Sequence, residues 1–193
     1  DKIACQDGRI YKLIQKNQGV AAARNYALSH ARGDYYLFID GDDYISDDYV
    51  EDMVMCAEKN SSELVICGYT KVDFEKNNKK EIIPQYYTQY LHEEWVYRIC
   101  AVWSRLYSSE FWIKNHLHFV TEEGARAEDV SIALYSNVMA KNISVLKKAG
   151  YYYVQRENSA MHQKRKVRFL FPYQAFEKMF YTVNQNNETN SKP

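Results

Sequence analysis

The chain has 193 residues, 46% hydrophobic and 26% charged, the composition of one globular domain with a sizeable core. Its 25 Lys plus Arg balance its 25 Asp plus Glu, so no net field points to nucleic acid. No apolar run approaches the roughly 18 residues of a membrane span, and no secretory signal pattern stands in the sequence.

In chain order, Arg9–Gln15 has strand composition and Asn17-Gln18-Gly19 reads as a turn. Residues 20–31 have helical composition, with Ala21, Ala22, Ala23, Ala27 and Leu28 as small packing residues and Gly33 as the stop. Tyr35–Asp40 is a short apolar run without alternation, the pattern of a strand covered on both faces. Strand, helix and buried strand together predict a βαβ unit. A helix is predicted over 45–60, with Ser46 as N-cap, Tyr49, Met53 and Cys56 on one face, and Val50 and Val54 beside them.

Residues 63–74 read as a long strand and 75–80 as a polar hairpin or loop. Residues 86–115 are dense in aromatics and read as mixed helix and loop. A helix is expected over 127–141 with Val130, Leu134 and Val138 apolar, and a strand–turn–strand over 143–157. Residues 167–183 read as a terminal helix begun or interrupted near Pro172, ahead of a frayed tail. The alternation of elements argues an α/β fold. Cys5, Cys56, Cys67 and Cys100 form no CxxC pair, which reads as free thiols in a reducing cytosol.

The segment Asp40-Gly41-Asp42-Asp43 closes the buried run, and Asp47 and Asp48 follow. Two carboxylates about 4 Å apart repel by roughly 4 kcal/mol at an effective dielectric near 20, so something must offset them. Asp47 and Asp48 suit the positive end of the next helix. Asp40 and Asp42, at the carboxyl end of a strand, are candidates for a hard divalent cation, Mg²⁺ or Mn²⁺, shared with a substrate phosphate. The competing reading is a solvated acidic turn. A calcium hand is a poor match, because Tyr44 and Ser46 stand where further oxygen ligands and a glycine belong.

The stretch from Asn17 to Ser46 closely resembles the core of the family 2 glycosyltransferases, inverting enzymes of the GT-A fold typical of bacterial polysaccharide synthesis. The resemblance lies in Ala23-Arg24-Asn25, Gly33, the aromatic run Tyr35–Ile39 and Asp40–Asp43. Downstream, residues 102–112 are similar to the family's Trp-x-Lys-Leu-Tyr stretch, with Arg105 in place of lysine. Residues 127–134 are similar to its Glu-Asp motif, and 151–161 to its Tyr-x-Tyr…Arg…Ser segment. The family's opening strands, which carry the nucleotide base and ribose contacts, have no counterpart here, and the chain opens on Asp1 rather than Met.

The resemblance implies a partial GT-A domain over 1–162, with a mixed, mostly parallel sheet flanked by helices and its N-terminal strands absent. A C-terminal helix and tail would occupy 163–193. It implies sugar transfer with inversion from a nucleotide diphosphate, a UDP-sugar first among candidates, to a glycan or lipid-linked acceptor. In that reading Asp42, with Asp40, holds Mn²⁺ or Mg²⁺, while Asp40 alternatively touches the ribose. Asp129 is the base and Glu128 orients it or the acceptor. The alternative for both acids is a helix-dipole role. Arg24, Asn25, Asp43 and Arg156 fall on the donor side; Arg24 equally suits a pair with a nearby acid. His162 is a metal or donor contact, or structural. Trp103 either stacks on acceptor sugar or belongs to the core.

Lys164, Arg165, Lys166 and Arg168 before an apolar run suit a membrane-surface helix, or packing on the domain or a second copy. The expected location is cytoplasmic, peripheral at the inner membrane face. Two other classes stay open. One is a haloacid-dehalogenase-like phosphatase, disfavoured because Tyr44 replaces its Thr or Val and a βα unit precedes the motif. The other is an inactive binding or scaffold domain.

Overall fold

The computed structural model describes residues 6–73, 78–84, 101–121 and 128–155. Its helices are α1 (Val20–Leu28), α2 (Tyr49–Asn60), α3 (Ser109–Lys114) and α4 (Glu128–Met139). Its strands are β1 (Tyr35–Leu37), β2 (Tyr44–Ile45), β3 (Leu64–Asp73), β4 (Asn78–Ile82), β5 (Arg105–Ser108) and β6 (Ile143–Gln155), with a 3-10 turn at Val102–Ser104. The predicted terminal helix and tail lie outside the described residues.

One sheet runs in the order β1-β5-β3-β6-β2, with β4 on β3. Leu64–Cys67 of β3 is buried without a break, as a central strand covered on both faces requires. Leu64 and Ile66 join Tyr107, Phe111, Trp112, Ile132 and Tyr135 on one side. Val65 and Cys67 join Tyr49, Met53, Ala57, Leu106 and Tyr151 on the other. The sheet thus lies between α2 and the pair α3 and α4.

The α/β class holds, but the mostly parallel sheet does not. Among the described residues only β3 and β6 pair in parallel; the other four pairings are antiparallel. Two of the four come from β5, hidden in an aromatic stretch that reads as helix and loop, and the other two from β2 on β6 and β4 on β3. β5 inserts reversed between β1 and β3, which therefore run parallel to each other without touching.

Residues 9–15 form no strand. Tyr11 and Ile14 are 80% and 76% exposed, and no described strand offers them a ladder, so the first arm of the βαβ unit is missing. The second helix begins at Tyr49 rather than 45, because Ile45 is held in β2 by Tyr151. Asp48, not Ser46, occupies the N-cap, and Ser46 Oγ donates to Asp48 Oδ1 at 2.6 Å. Asp48 and Asp52 share Lys148 of β6, which pulls the Asp48 carboxyl below its usual range. Tyr49, Met53 and Ala57 form the buried face of α2, whereas Val50 is exposed. In α4, Val138 faces out, and the buried face carries Ile132, Ala133 and Tyr135 with Ser131, Ser136 and Asn137. Asn137 Oδ1 accepts from the fully buried Arg105 at 2.7 Å.

The strand–turn–strand expected at 143–157 is one strand with a bulge. Cys67 faces Leu146, yet Tyr69 faces Tyr151, so the stretch 147–150 is absorbed opposite Gly68 alone. A Cβ on Gly68 would lie 2.5 Å from Ile82 O and 3.0 Å from Lys148 O, both backbone. Gly68→Ala is therefore expected to destabilise the protein by about 1–3 kcal/mol, measured by denaturant unfolding; an unchanged midpoint would contradict this packing.

Candidate active site

Two short segments and one helix start converge at the carboxyl end of β1. The chain leaves β1 and turns at Asp40-Gly41-Asp42-Asp43, where Asp43 N–H donates to Asp40 O at 3.1 Å, the hydrogen bond of a β-turn. A Cβ at Gly41 would meet nothing within 4 Å, so the fold itself does not demand glycine there.

The carboxylates of this turn have three different surroundings. Asp42 is exposed. Asp40 Oδ1 accepts from Arg24 Nη2 at 2.7 Å. Asp43 is turned inward: Oδ1 accepts from Val154 N–H at 2.8 Å and Oδ2 from the Tyr151 hydroxyl at 2.6 Å. Burial, with lesser help from Asp42 and Asp40, pushes the Asp43 carboxyl up despite those two hydrogen bonds. Asp43 thus anchors the turn, with both oxygens engaged by β6.

Arg24 of α1 connects the turn to α4. Its other terminal nitrogen, Nη1, donates to Glu128 Oε1 at 3.1 Å, and the guanidinium carbon lies 5.2 Å from the Phe119 ring centroid. The Arg24 side chain is 13% exposed. A planar fork with two ends engaged is a geometry lysine cannot reproduce. Of the two sequence readings, pairing with acids is the one realised here, and it joins Asp40 to Glu128.

Asp129 follows Glu128 at the start of α4. Its Oδ1 accepts from Val130 N–H at 2.9 Å. Burial, then the neighbouring Glu128 charge, pushes its carboxyl up to about 6, with the Val130 amide and Arg24 acting against the rise. A carboxylate tuned toward neutral pH suits proton acceptance. A carboxylate merely complementing a helix dipole shifts the other way.

Asn25 is engaged elsewhere: its carboxamide nitrogen donates to Phe119 O at 2.7 Å, and its oxygen accepts from Phe119 N–H at 2.9 Å. It fastens α1 to the backbone of Phe119, whose ring lies against Arg24. Trp103 is a core residue, 8% exposed, with its ring stacked on Tyr151 and Tyr153 at 4.4 and 5.5 Å. This packing is that of the core reading of the tryptophan. Arg156 and His162 lie outside the described residues.

Tyr151 and Tyr153 stand against the acidic turn, a placement that sequence reasoning did not assign. Burial and then the acids of the turn, Asp43, Asp42 and Asp40, raise the Tyr153 hydroxyl, so this ring borders the acidic turn. The Tyr-x-Tyr pattern was visible, but its partners are more than 100 residues away in the chain.

Among the described residues no group of three or more His, Cys, Asp and Glu side chains comes together for a metal. The turn instead offers two hard carboxylates, exposed Asp42 and the second oxygen of Asp40. That donor set fits Mg²⁺ or Mn²⁺, which are held by one or two carboxylates and complete their shell with phosphate oxygens and water. No helix among the described residues is long and apolar enough to cross a membrane.

Comparison with known proteins identifies the family and the fold. Residues 2–115 match the family model described as Glycosyl transferase family 2. The chain is 28% identical to the putative glycosyltransferase EpsH of Bacillus subtilis (strain 168), over 97% of this chain and 57% of that protein. It is 31% identical to the uncharacterized glycosyltransferase EpsJ of the same strain, over 81% of this chain and 48% of that protein. It therefore spans about half the length of the curated relatives it matches. Its fold is that of the crystal structure of S. aureus TarS 1-349 in complex with UDP-GlcNAc. The TM-score is 0.65 at 24% identity, covering 89% of this chain and 47% of that one.

Proposed function

The chain belongs to glycosyl transferase family 2, and from that premise we propose that it supplies the metal and base sides of an inverting sugar transfer from a nucleotide diphosphate to an acceptor hydroxyl. The observation that carries the reading is the charged chain Asp40–Arg24–Glu128. It links the acidic turn to the helix start where Asp129 stands with its carboxyl at about 6. Family membership removes the phosphatase alternative.

In this reading Asp129 accepts the proton of the acceptor hydroxyl as its oxygen attacks the anomeric carbon. The new C–O bond forms on the face opposite the breaking bond to the diphosphate, which inverts the centre. The diphosphate leaves as an anion and needs charge neutralisation more than a proton. Asp42 and the second oxygen of Asp40 would hold Mn²⁺ or Mg²⁺, which when bound supplies that positive charge. Glu128 holds Arg24 and adds negative charge beside Asp129. A UDP-sugar is the donor class favoured by the likeness to TarS, solved with UDP-GlcNAc and with UDP. TarS is a poly(ribitol-phosphate) beta-N-acetylglucosaminyltransferase, which supports a polymer bearing hydroxyl groups as acceptor.

The test is calorimetry of the full-length protein with UDP and MnCl₂, beside release of UDP from UDP-GlcNAc. Binding is expected, with transfer abolished by EDTA and restored by Mn²⁺. Asp42→Asn is expected to weaken the apparent Mn²⁺ affinity at least about 10-fold. Absence of any nucleotide binding would sink the transferase reading in favour of a scaffold, and EDTA-resistant turnover would sink the metal role.

A further inference from the structure

The Tyr-x-Tyr segment of β6 takes no part in the chemistry above, yet its first ring reaches the acidic turn from the core. Tyr151 is fully buried. Its ring stacks on Trp103 at 4.4 Å and meets Tyr49 edge-on at 6.1 Å. Its hydroxyl accepts from Asp40 N–H at 3.2 Å and donates to Asp43 Oδ2 at 2.6 Å. Those are the first and last residues of a single turn, already closed by the Asp43 N–H to Asp40 O bond. Val154 N–H, three residues along the same strand, takes the other Asp43 oxygen. One strand therefore clamps the turn at both ends.

The clamp answers a physical need. Three carboxylates in four residues repel one another, and only Asp40 has Arg24 against it. Asp42 is exposed at the apex, so its position follows from the backbone of the turn. We infer that Tyr151 is a positioning residue for the donor: through Asp43 and the Asp40 amide it fixes the turn that presents Asp40 and Asp42. The inference rests on the transferase reading of that turn.

Tyr151→Phe removes the hydroxyl and keeps the ring on Trp103, so it separates positioning from packing. In the full-length protein the Kd for UDP with MnCl₂, read by calorimetry, is expected to rise about 10–100-fold. The donor kcat/KM should fall in step while the acceptor KM stays. Hydrogen exchange should accelerate in peptides covering 38–45 and remain unchanged in 49–60. Asp43→Asn should give a similar or smaller loss, and the double variant little more than Tyr151→Phe alone, since the Tyr151–Asp43 bond is lost in both. Unchanged UDP affinity and unchanged exchange over 38–45 would overturn the inference. So would a lowered Tm with wild-type kinetics at temperatures where the variant is folded, or fully additive losses in the double variant. A wild-type protein that binds no UDP would count against the transferase reading instead; the exchange comparison then judges the clamp by itself.

Discussion

Asp129→Asn is expected to reduce sugar transfer by about 10²–10⁴-fold, the contribution of a positioned general base, while UDP binding in the presence of Mn²⁺ stays within a few-fold of wild type. The same substitution is expected to stabilise the fold at pH 7–8. Both effects follow from one property. Burial and the Glu128 charge hold the Asp129 carboxyl at about 6, above its ordinary 3.8. The folded state therefore resists the charged form, and at neutral pH that resistance counts against stability. It is relieved as pH falls through about 6 toward 4, where the folded chain takes up the proton before the unfolded one. Asparagine removes the charge at every pH. A shift of this size corresponds to under about 3 kcal/mol, and solvent screening at this partly buried site reduces it to about 1–2 kcal/mol.

Two measurements check this together. Wild-type kcat should show an acid limb near pH 6, active above and failing below, and the residual activity of Asp129→Asn should lack it. Denaturant unfolding at pH 8 should give the variant the higher midpoint. A residue that only complements the α4 dipole would do the reverse on both counts: activity would persist and stability would fall by about 0.3–1 kcal/mol. Gain of stability with loss of turnover is the pattern of a group held at a functional cost.

How much of this was legible in the sequence differs by element. The long central strand β3 was readable, because four consecutive apolar residues from Leu64 to Cys67 fit a strand covered on both sides. So was the acidic turn, since its charge density has no packing explanation. What escaped was set by partners distant in the chain. Residues 9–15 have strand composition, but a strand exists only through a neighbour's ladder. β5 hides in an aromatic segment because Arg105, fully buried on Asn137, breaks its apolar pattern. The bulge of β6 looked like a turn, since Ala149-Gly150 has turn composition. Nothing local reveals that Lys147–Gly150 folds opposite a glycine of β3. In the site, Asp129 and Asp40 were found as single residues. That Arg24 joins the turn to Glu128, that Asn25 serves the Phe119 backbone and that Tyr151 holds Asp43 are facts of three dimensions.

Arg24 is where these separations meet, and replacing it is expected to have the second large effect. Arg24→Met keeps the aliphatic length of the side chain and removes the fork. Asp40 and Glu128 then face the site without their shared cation, and Asp129 loses a positive charge that had been lowering its pKa. The Asp129 carboxyl must therefore rise further, and the acid limb of kcat should move above pH 6 rather than below it. Leaving two partly buried carboxylates unpaired should also cost about 1–3 kcal/mol of stability, less than a fully buried pair because Asp40 keeps contact with solvent. Donor kcat/KM is expected to fall about 10²-fold, because the turn and the base helix are no longer tied in one arrangement. Arg24→Lys tests the geometry rather than the charge. A single ammonium reaches one carboxylate well and not both, so it should restore much of the stability and the position of the acid limb but little of the rate. If lysine restored full turnover, the charge of Arg24 would suffice and its bridging of Asp40 to Glu128 would be incidental. If methionine left the acid limb in place, the electrostatic link between Arg24 and Asp129 would be wrong, and with it the coupling of donor turn to catalytic base.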